Sequence, residues 1–161
     1  MNINTFWQLI EEAWGAAPTW NDKRKQALQN KDYELLQQLD GALAGPVLET
    51  YQQQLYRLSK EELTAFIHHL EERIYHIDRQ EIHQYTDGSD DGFLYCRCFI
   101  VGMGEDYYNK IDQDPSQASF DLEAESFGFE AYQVYEDRFG EEFDRYQFHS
   151  METCSQEESW G

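Results

Sequence analysis

Basic residues are scarce in this sequence of 161 residues. Twelve Lys and Arg stand against 32 Asp and Glu, which leaves a formal charge of −20 at pH 7. Because such a surface repels phosphate groups, the charge argues against nucleic acid and anionic membranes as partners, and it favours basic proteins and cations. The imbalance is concentrated in the second half, since residues 84–161 have 19 acids and 4 bases.

Cysteines and long apolar runs are also scarce. Cys96 and Cys98 point to different sides of any regular element and Cys154 lies near the C-terminal end, so we expect no disulfide framework. No segment approaches the roughly 20 consecutive apolar residues of a membrane span. The opening sequence, MNINTFWQLIEEAW, has acids where a signal peptide has bases. Together these absences predict a cytoplasmic protein.

Apolar residues are present in sufficient number for one hydrophobic core. They make up 40% of the chain and include 4 Trp, 11 Tyr and 10 Phe. Because helical spacing recurs and no strand alternation, repeat or linker is found, we predict an all-α, single-domain compact bundle of about six to eight helices over residues 1–149. Residues 150–161 lose the apolar pattern and are predicted to form an acidic, frayed tail.

Capping patterns predict where several helices begin. Thr5 with Gln8, and Ser59 with Glu62, have the spacing of capping boxes, and Ser89 precedes a third apolar helix. Three shorter helices are predicted within residues 22–57. A further short helix precedes a last one, from about Leu122 to Phe139, which is apolar on more than one face. This last helix is therefore either buried or an interface.

Four motifs occur in the chain in a distinctive order. They are Phe-Trp-x-Leu-Ile-Glu, then Leu-Ser-x-Glu-Glu leading into Phe-x-x-His, then Ser-Asp-Asp-Gly-Phe, and last Ala-Tyr-x-x-Tyr-Glu. The residues are Phe6, Trp7, Leu9, Ile10 and Glu11; Leu58, Ser59, Glu61 and Glu62; Phe66 and His69; Ser89 to Phe93 with Tyr95; and Ala131, Tyr132, Tyr135 and Glu136. In order and spacing, over most of residues 4–139, the sequence resembles the domain-of-unknown-function family 4240, a family of bacterial proteins.

The resemblance implies a shared helical fold and no activity, because the family has no assigned function and offers no catalytic residues to transfer. Two parts of the chain depart from it. Residues 31–57 form an extra helical stretch where family members have a shorter connection, and the sequence after Gly140 is particular to this chain.

Asp90 and Asp91 follow the cap residue Ser89 and allow two interpretations. As acids in the first turn of a helix, they compensate the free amides and the positive end of the helix dipole. Alternatively, with Asp87, they converge on one turn and bind a cation or a basic side chain. The segment lacks the ligand spacing and closing Glu of a calcium-binding EF-hand loop, so capping is favoured.

Histidines give the basis for a rival hypothesis, a metal-dependent or other enzyme. Glu72 and His76 are four residues apart on one predicted helical face and could chelate a metal ion. His69 lies seven residues before His76, which is about 10 Å along a helix and too far to share one ion without further ligands. This enzyme would need His69, Glu72 and His76 to meet Asp90 or Asp91 in a pocket. We expect no metal and no cofactor.

The acidic and aromatic region of residues 120–148 is the strongest functional candidate. Negative charge interleaved with aromatic anchors suits binding to a basic protein surface, as in an immunity-like or antitoxin-like inhibitor. The alternatives are a solvated acidic face over an aromatic core, and a scaffold or homo-oligomer built through the last helix. The predicted partner-binding residues are Asp90, Asp91, Glu130, Tyr132, Tyr135, Glu136, Asp137, Glu141, Glu142, Phe143 and Asp144.

Overall fold

A computed structural model describes residues 1–160 of the chain. Within them lie nine α-helices, two short 3₁₀ turns and no β-strand. The helices are α1 Ile3–Gly15, α2 Pro18–Asn30, α3 Tyr33–Leu43, α4 Pro46–Tyr56, α5 Lys60–His76, α6 Gln80–His83, α7 Asp90–Gly102, α8 Glu105–Gln113 and α9 Glu125–Phe139; the 3₁₀ turns are Pro115–Gln117 and Glu157–Ser159. The predicted all-α fold is confirmed. The number of helices exceeds the predicted six to eight by one. The additional helix is α6, a single turn that is too short to show helical spacing in the sequence.

Local capping explains where helices begin, with one correction. The Ser59 and Glu62 capping box of α5 is confirmed, with both reciprocal hydrogen bonds present. The predicted box of Thr5 and Gln8 is wrong. Asn2 caps α1 instead, because its Oδ1 accepts a hydrogen bond of 2.9 Å from the backbone N of Thr5.

Helix α9 lies in the core and packs against α7, α4 and α5. Its side chains Phe127, Ala131, Tyr132, Val134 and Tyr135 are buried, as expected for the first of the two alternatives, a buried helix. It begins at Glu125 rather than at Leu122, because residues 122–124 are irregular and the backbone N of Ala124 donates to the carbonyl of Tyr95 at 3.0 Å. Gly140, with φ 69°, adopts the left-handed conformation that ends the helix.

A ladder of aromatic rings joins four helices at the centre of the core. Phe6 of α1 packs on Phe66 of α5 at a centroid distance of 4.8 Å, and Tyr51 of α4 lies 6.0 Å from Phe66 and 4.4 Å from Phe127 of α9. Tyr51 comes from the stretch 31–57 that the sequence marks as extra. This stretch is thus an integral part of the core.

The predicted frayed tail is not confirmed. Met151 is fully buried, and Trp160 packs against the rings of His83 and Phe93 at 5.2 and 5.8 Å. The backbone of residues 154–156 is held by the buried carboxylate of Asp78. The tail has few apolar residues and no helical periodicity. These few residues nevertheless pack against core residues that are distant in the sequence. Residues 150–160 therefore belong to the folded domain.

No helix within residues 1–160 is both long enough and apolar enough to cross a bilayer.

Candidate functional site

The chain after α9 turns back and lies against α9 and α5. Gly140 makes this reversal in its left-handed conformation, and Phe143 then packs against Tyr132 and Tyr135 of α9 at 5.9 and 5.1 Å. Phe143 also lies 5.7 Å from the ring of His68 on α5. Packing of Phe143 therefore fixes the acidic residues on either side of it relative to α9.

A cleft of about 360 Å³ opens between the end of α9 and this returning segment. Three of its carboxylates are exposed, those of Glu136, Glu142 and Asp144. The cleft is lined by Tyr132, Glu136, Glu142, Phe143, Asp144 and Arg145. Five of the eleven predicted partner-binding residues thus share one cleft. We call it the acidic cleft.

Beneath the acidic cleft lies a buried carboxylate. Glu71 of α5 is 1% exposed, and its Oε2 accepts hydrogen bonds from the Tyr132 hydroxyl at 2.7 Å and from the Tyr146 backbone N at 3.0 Å. Burial raises the pKa of Glu71, and these two hydrogen bonds oppose the increase. The Arg145 guanidinium lies 4.1 Å from the centroid of the Tyr132 ring, as a cation–π contact.

Tyr132 and Tyr135 do not serve as exposed anchors, which corrects the sequence-based prediction. Their side chains are buried in the core, at 3% and 7% exposure. The Tyr132 hydroxyl is committed to Glu71, and the Tyr135 hydroxyl donates to Glu141 at 3.3 Å. The alternative of a solvated acidic face over an aromatic core thus describes these two residues correctly.

Phe148 is the exposed aromatic side chain of this region. It is 65% exposed, and its ring lies 4.9 Å from that of His68, which also contacts Phe143. Burial and the neighbouring His69 lower the pKa of His68 and favour its neutral form. Phe148 is not among the predicted partner-binding residues, although it lies in the acidic and aromatic region of residues 120–148.

The remaining predicted acids near α9 face α4 and α5. Glu130 accepts from Gln52 Nε2 at 2.8 Å, and burial raises its pKa. Asp137 accepts from the Tyr56 hydroxyl at 3.3 Å. Glu141 forms an ion pair of 2.8 Å with Lys60. These three acids are thus engaged within the chain and lie outside the lining of the acidic cleft.

Asp90 and Asp91 occupy the first turn of α7, away from the lining of the acidic cleft. Ser89 caps this helix, with its Oγ accepting from the backbone N of Gly92 at 3.1 Å. The carboxylate of Asp87 accepts from both the backbone N and the hydroxyl of Ser89 at 2.7 Å. The predicted capping interpretation of this cluster is thus supported by its geometry.

His69, Glu72 and His76 contact three different neighbours. His69 Nε2 lies 2.9 Å from the carbonyl of Met1, Glu72 pairs with Arg73 at 2.7 Å, and His76 Nε2 lies 3.5 Å from a carboxylate oxygen of Asp112. Across residues 1–160, no group of three or more His, Cys, Asp or Glu side chains is arranged to hold a metal ion.

Cys96 and Cys98 are buried, and burial raises the pKa of each thiol to about 12. Such thiols stay protonated at neutral pH and are poor nucleophiles. Both are free thiols, as is Cys154.

Comparison with known proteins identifies the family of this chain. Neither a curated protein nor a solved structure matches the sequence significantly. The family model described as "Protein of unknown function (DUF4240)" matches residues 1–143, which include all four motifs noted in the sequence. The chain therefore belongs to the DUF4240 family.

Proposed function

We propose that this chain is a non-enzymatic binding protein of bacterial type that covers a basic surface of a partner protein in the cytoplasm. An immunity-like or antitoxin-like inhibitor acts in this way. The observation that carries the proposal is the acidic cleft, in which Glu136, Glu142 and Asp144 present exposed carboxylates beside a half-buried aromatic ring, Phe143.

The carboxylates of the acidic cleft are available to a partner. None of the three forms an ion pair with another of residues 1–160, in contrast to Glu141 with Lys60. Exposed charges of one sign raise the rate of encounter with an oppositely charged protein and make it depend on salt. The same charges repel nucleic acid, which makes a protein the better partner.

The exposed ring of Phe148 supplies the apolar contact that such a site needs. Binding energy in protein interfaces is concentrated in a few aromatic or Arg side chains surrounded by polar residues. The ring of His68 contacts both Phe148 and Phe143 and so connects them. The proposed interface therefore has an aromatic centre and an acidic rim.

Affinity capture from the native lysate tests the proposal, with the chain as bait at low and at high salt. We expect a basic protein that is retained at low salt and lost at high salt. The decisive comparison uses Glu136→Lys, Glu142→Lys and Asp144→Lys together. The matched control reverses three exposed acids of α1 to α3, at Glu12, Asp22 and Glu34, and so has the same net charge.

The two triple variants separate a local site from a general effect of charge. The cleft variant should lose the partner, the control variant should retain it, and Phe148→Ser should weaken capture with no change in charge. Circular dichroism checks that each variant is folded. If both triple variants capture the partner equally, the acidic cleft is not the binding site.

A further inference from the structure

Three fully buried charged side chains lie beneath the C-terminal segment, which we define as residues 144–160. They are Glu71, Asp78 and Arg97, at 1%, 0% and 0% exposure. All three belong to the part of the chain that the family model matches, whereas partners of each lie beyond it. The C-terminal segment thus covers a charged groove formed by α5, α7 and the turn after α5.

Asp78 binds the last part of the C-terminal segment, residues 154–160. Its carboxylate accepts from the backbone N of Cys154 at 3.1 Å, from that of Gln156 at 2.9 Å, and from Trp160 Nε1 at 3.1 Å. The Gln156 side chain also donates to the carbonyls of Tyr75 and His76 at the end of α5. Two of these contacts bind backbone N–H groups of the segment, and the others bind the side chains of Gln156 and Trp160.

The hydrogen-bond donors of the Arg97 guanidinium are only partly provided with acceptors. One terminal nitrogen donates to the carbonyl of Ile74 at 3.0 Å, and the other donates to the Thr153 hydroxyl at 3.1 Å. Its buried Nε has no hydrogen-bond partner among residues 1–160. Because a buried donor without a partner is costly, Arg97 would gain from an additional oxygen acceptor.

The C-terminal segment is also strained where the groove holds it. Tyr146 and Cys154 have φ of 64° and 69°, a region that side chains other than glycine rarely adopt. These are the two residues whose backbone N–H groups are bound by Glu71 and Asp78. Docking therefore forces an unfavourable backbone conformation at two contact points.

We propose that this groove is a peptide-binding site, which the C-terminal segment occupies in cis. The ligand in trans is an extended peptide segment that presents backbone N–H groups to Glu71 and Asp78 and an oxygen acceptor to Arg97. Charges that served only to attach this segment could be replaced by apolar residues at a lower cost of desolvation. The strain and the unpaired Nε make the cis segment an imperfect ligand that a better one displaces.

Displacement would also alter the acidic cleft, since Asp144 and Arg145 contribute to its lining. The inference itself does not rest on the function proposed for that cleft. A tethered segment competes at an effective concentration in the millimolar range, so a free peptide binds the intact chain weakly. Cutting the tether removes this advantage.

The test uses the full chain with a site for a specific protease inserted between Gly140 and Glu141, both exposed. After cleavage, the fragment from Glu141 onward should co-elute with the remainder in size-exclusion chromatography. A fluorescent peptide of residues 144–160 should then exchange into the groove. We expect at least ~100-fold tighter binding to the cleaved chain than to the uncut chain.

Peptide variants test recognition without changing the domain. Thr153→Asp provides two oxygens to the Arg97 guanidinium and should bind about 5-fold tighter than the native peptide, whereas Thr153→Val should bind weaker. Asp78→Asn in the domain should reduce binding of every peptide, with Asp106→Asn, at an exposed position of α8, as its control.

Three results would overturn the inference. The first is that the peptide does not bind the cleaved chain, and the second is that the chain loses its helical signal when the fragment leaves, which would make the segment an indispensable part of the fold. The third is that the Thr153→Asp and Thr153→Val peptides bind equally, which would exclude a role of Arg97 in recognition.

Discussion

Glu71 is the residue at which α5, α9 and the returning segment meet. Its carboxylate accepts from Tyr132 and Tyr146, and burial raises its pKa. A carboxyl whose pKa is higher in the folded state than in the unfolded state binds its proton more strongly when folded. Its stabilising contribution is therefore complete below the ordinary pKa and is lost as pH rises through the raised value.

Replacing Glu71 with Gln should remove this pH dependence. The amide oxygen still accepts a hydrogen bond, and no charge has to be buried as pH rises. We expect the free energy of unfolding of Glu71→Gln, relative to the unmodified chain, to increase between about pH 4 and about pH 7.5. Urea denaturation at both pH values measures it.

The control for this comparison is Glu72→Gln, at the neighbouring, partly exposed position. Its stability difference from the unmodified chain should change less with pH. If the difference in the free energy of unfolding between Glu71→Gln and the unmodified chain were constant across this pH range, the pKa of Glu71 would not change on folding, which would contradict the prediction.

Single residues could be predicted from the sequence where their partners are near in the chain. Ser59 with Glu62 and Ser89 with Gly92 are three residues apart, and both caps were predicted. Glu71 and Tyr146 are 75 residues apart, so no local pattern indicates their contact. For the same reason the sequence could not show that Tyr132 is a buried donor rather than an exposed anchor.

At the scale of elements, Gly128 sets the close approach of α9 to α7. A Cβ at this position would lie 2.3 Å from Cys98 Sγ and 3.1 Å from Cys98 Cβ. Gly128→Ala should therefore destabilise the fold by about 1–3 kcal/mol through overpacking. Urea denaturation provides the measurement.

Two further variants show whether the loss arises from this contact. Gly41→Ala in α3 meets no atom within 4 Å, and it should be neutral or stabilise by up to ~1 kcal/mol. Combining Gly128→Ala with Cys98→Ala removes the clashing sulfur, so the double variant should lose less than the sum of the single losses. Additive losses would show that the clash is not with Cys98.

Arg24 joins α1, α2 and the turn between α7 and α8. Its guanidinium is 4% exposed, donates to the carbonyl of Met103 at 3.0 Å, and forms a bidentate pair with Glu11. Because truncation leaves a buried carbonyl without this donor, Arg24→Ala should cost about 1–3 kcal/mol. Lys25→Ala, at an exposed position of the same helix, should change stability by less than about 0.5 kcal/mol.

Thermal denaturation of the two α2 variants makes this comparison. Equal midpoints for Arg24→Ala and Lys25→Ala would mean that the guanidinium does not contribute to the packing of these elements.

Helices with a cap and an apolar stripe could be predicted well, since both signals are local. The misses are elements that depend on distant contacts. The sequence predicts an unstructured tail because Met151 and Trp160 are isolated in sequence, yet Met151 is buried beside Tyr132 of α9 and Trp160 packs on Phe93 of α7. The predicted start of α9 is too early because Leu122 is apolar, although it is buried from the irregular segment before the helix.

At the scale of the whole molecule, the negative charge opposes folding. Glu123 illustrates this, because burial and the neighbouring acids Asp87, Asp40 and Asp121 raise its pKa. Added salt screens such repulsion. We expect the thermal midpoint to rise by several degrees between about 20 mM and about 500 mM NaCl, since ~1 kcal/mol corresponds to about 2–4 °C at this size.

The variant Glu123→Gln removes one of the repelling charges and should lessen the dependence on salt. Scanning calorimetry over a series of NaCl concentrations gives both slopes. A midpoint that does not depend on salt would contradict the view that repulsion among these acids limits stability.

The left-handed residues Tyr146 and Cys154 also have a consequence for populations. If each costs about 1 kcal/mol, the two together reduce the ratio of docked to undocked segments by about 30-fold. This bias acts without altering the groove or the length of the tether. A glycine at Cys154, which is exposed, would shift the equilibrium towards the docked state. In the proposed exchange, the fraction of chains with an unoccupied groove would therefore depend on the backbone conformation of one residue.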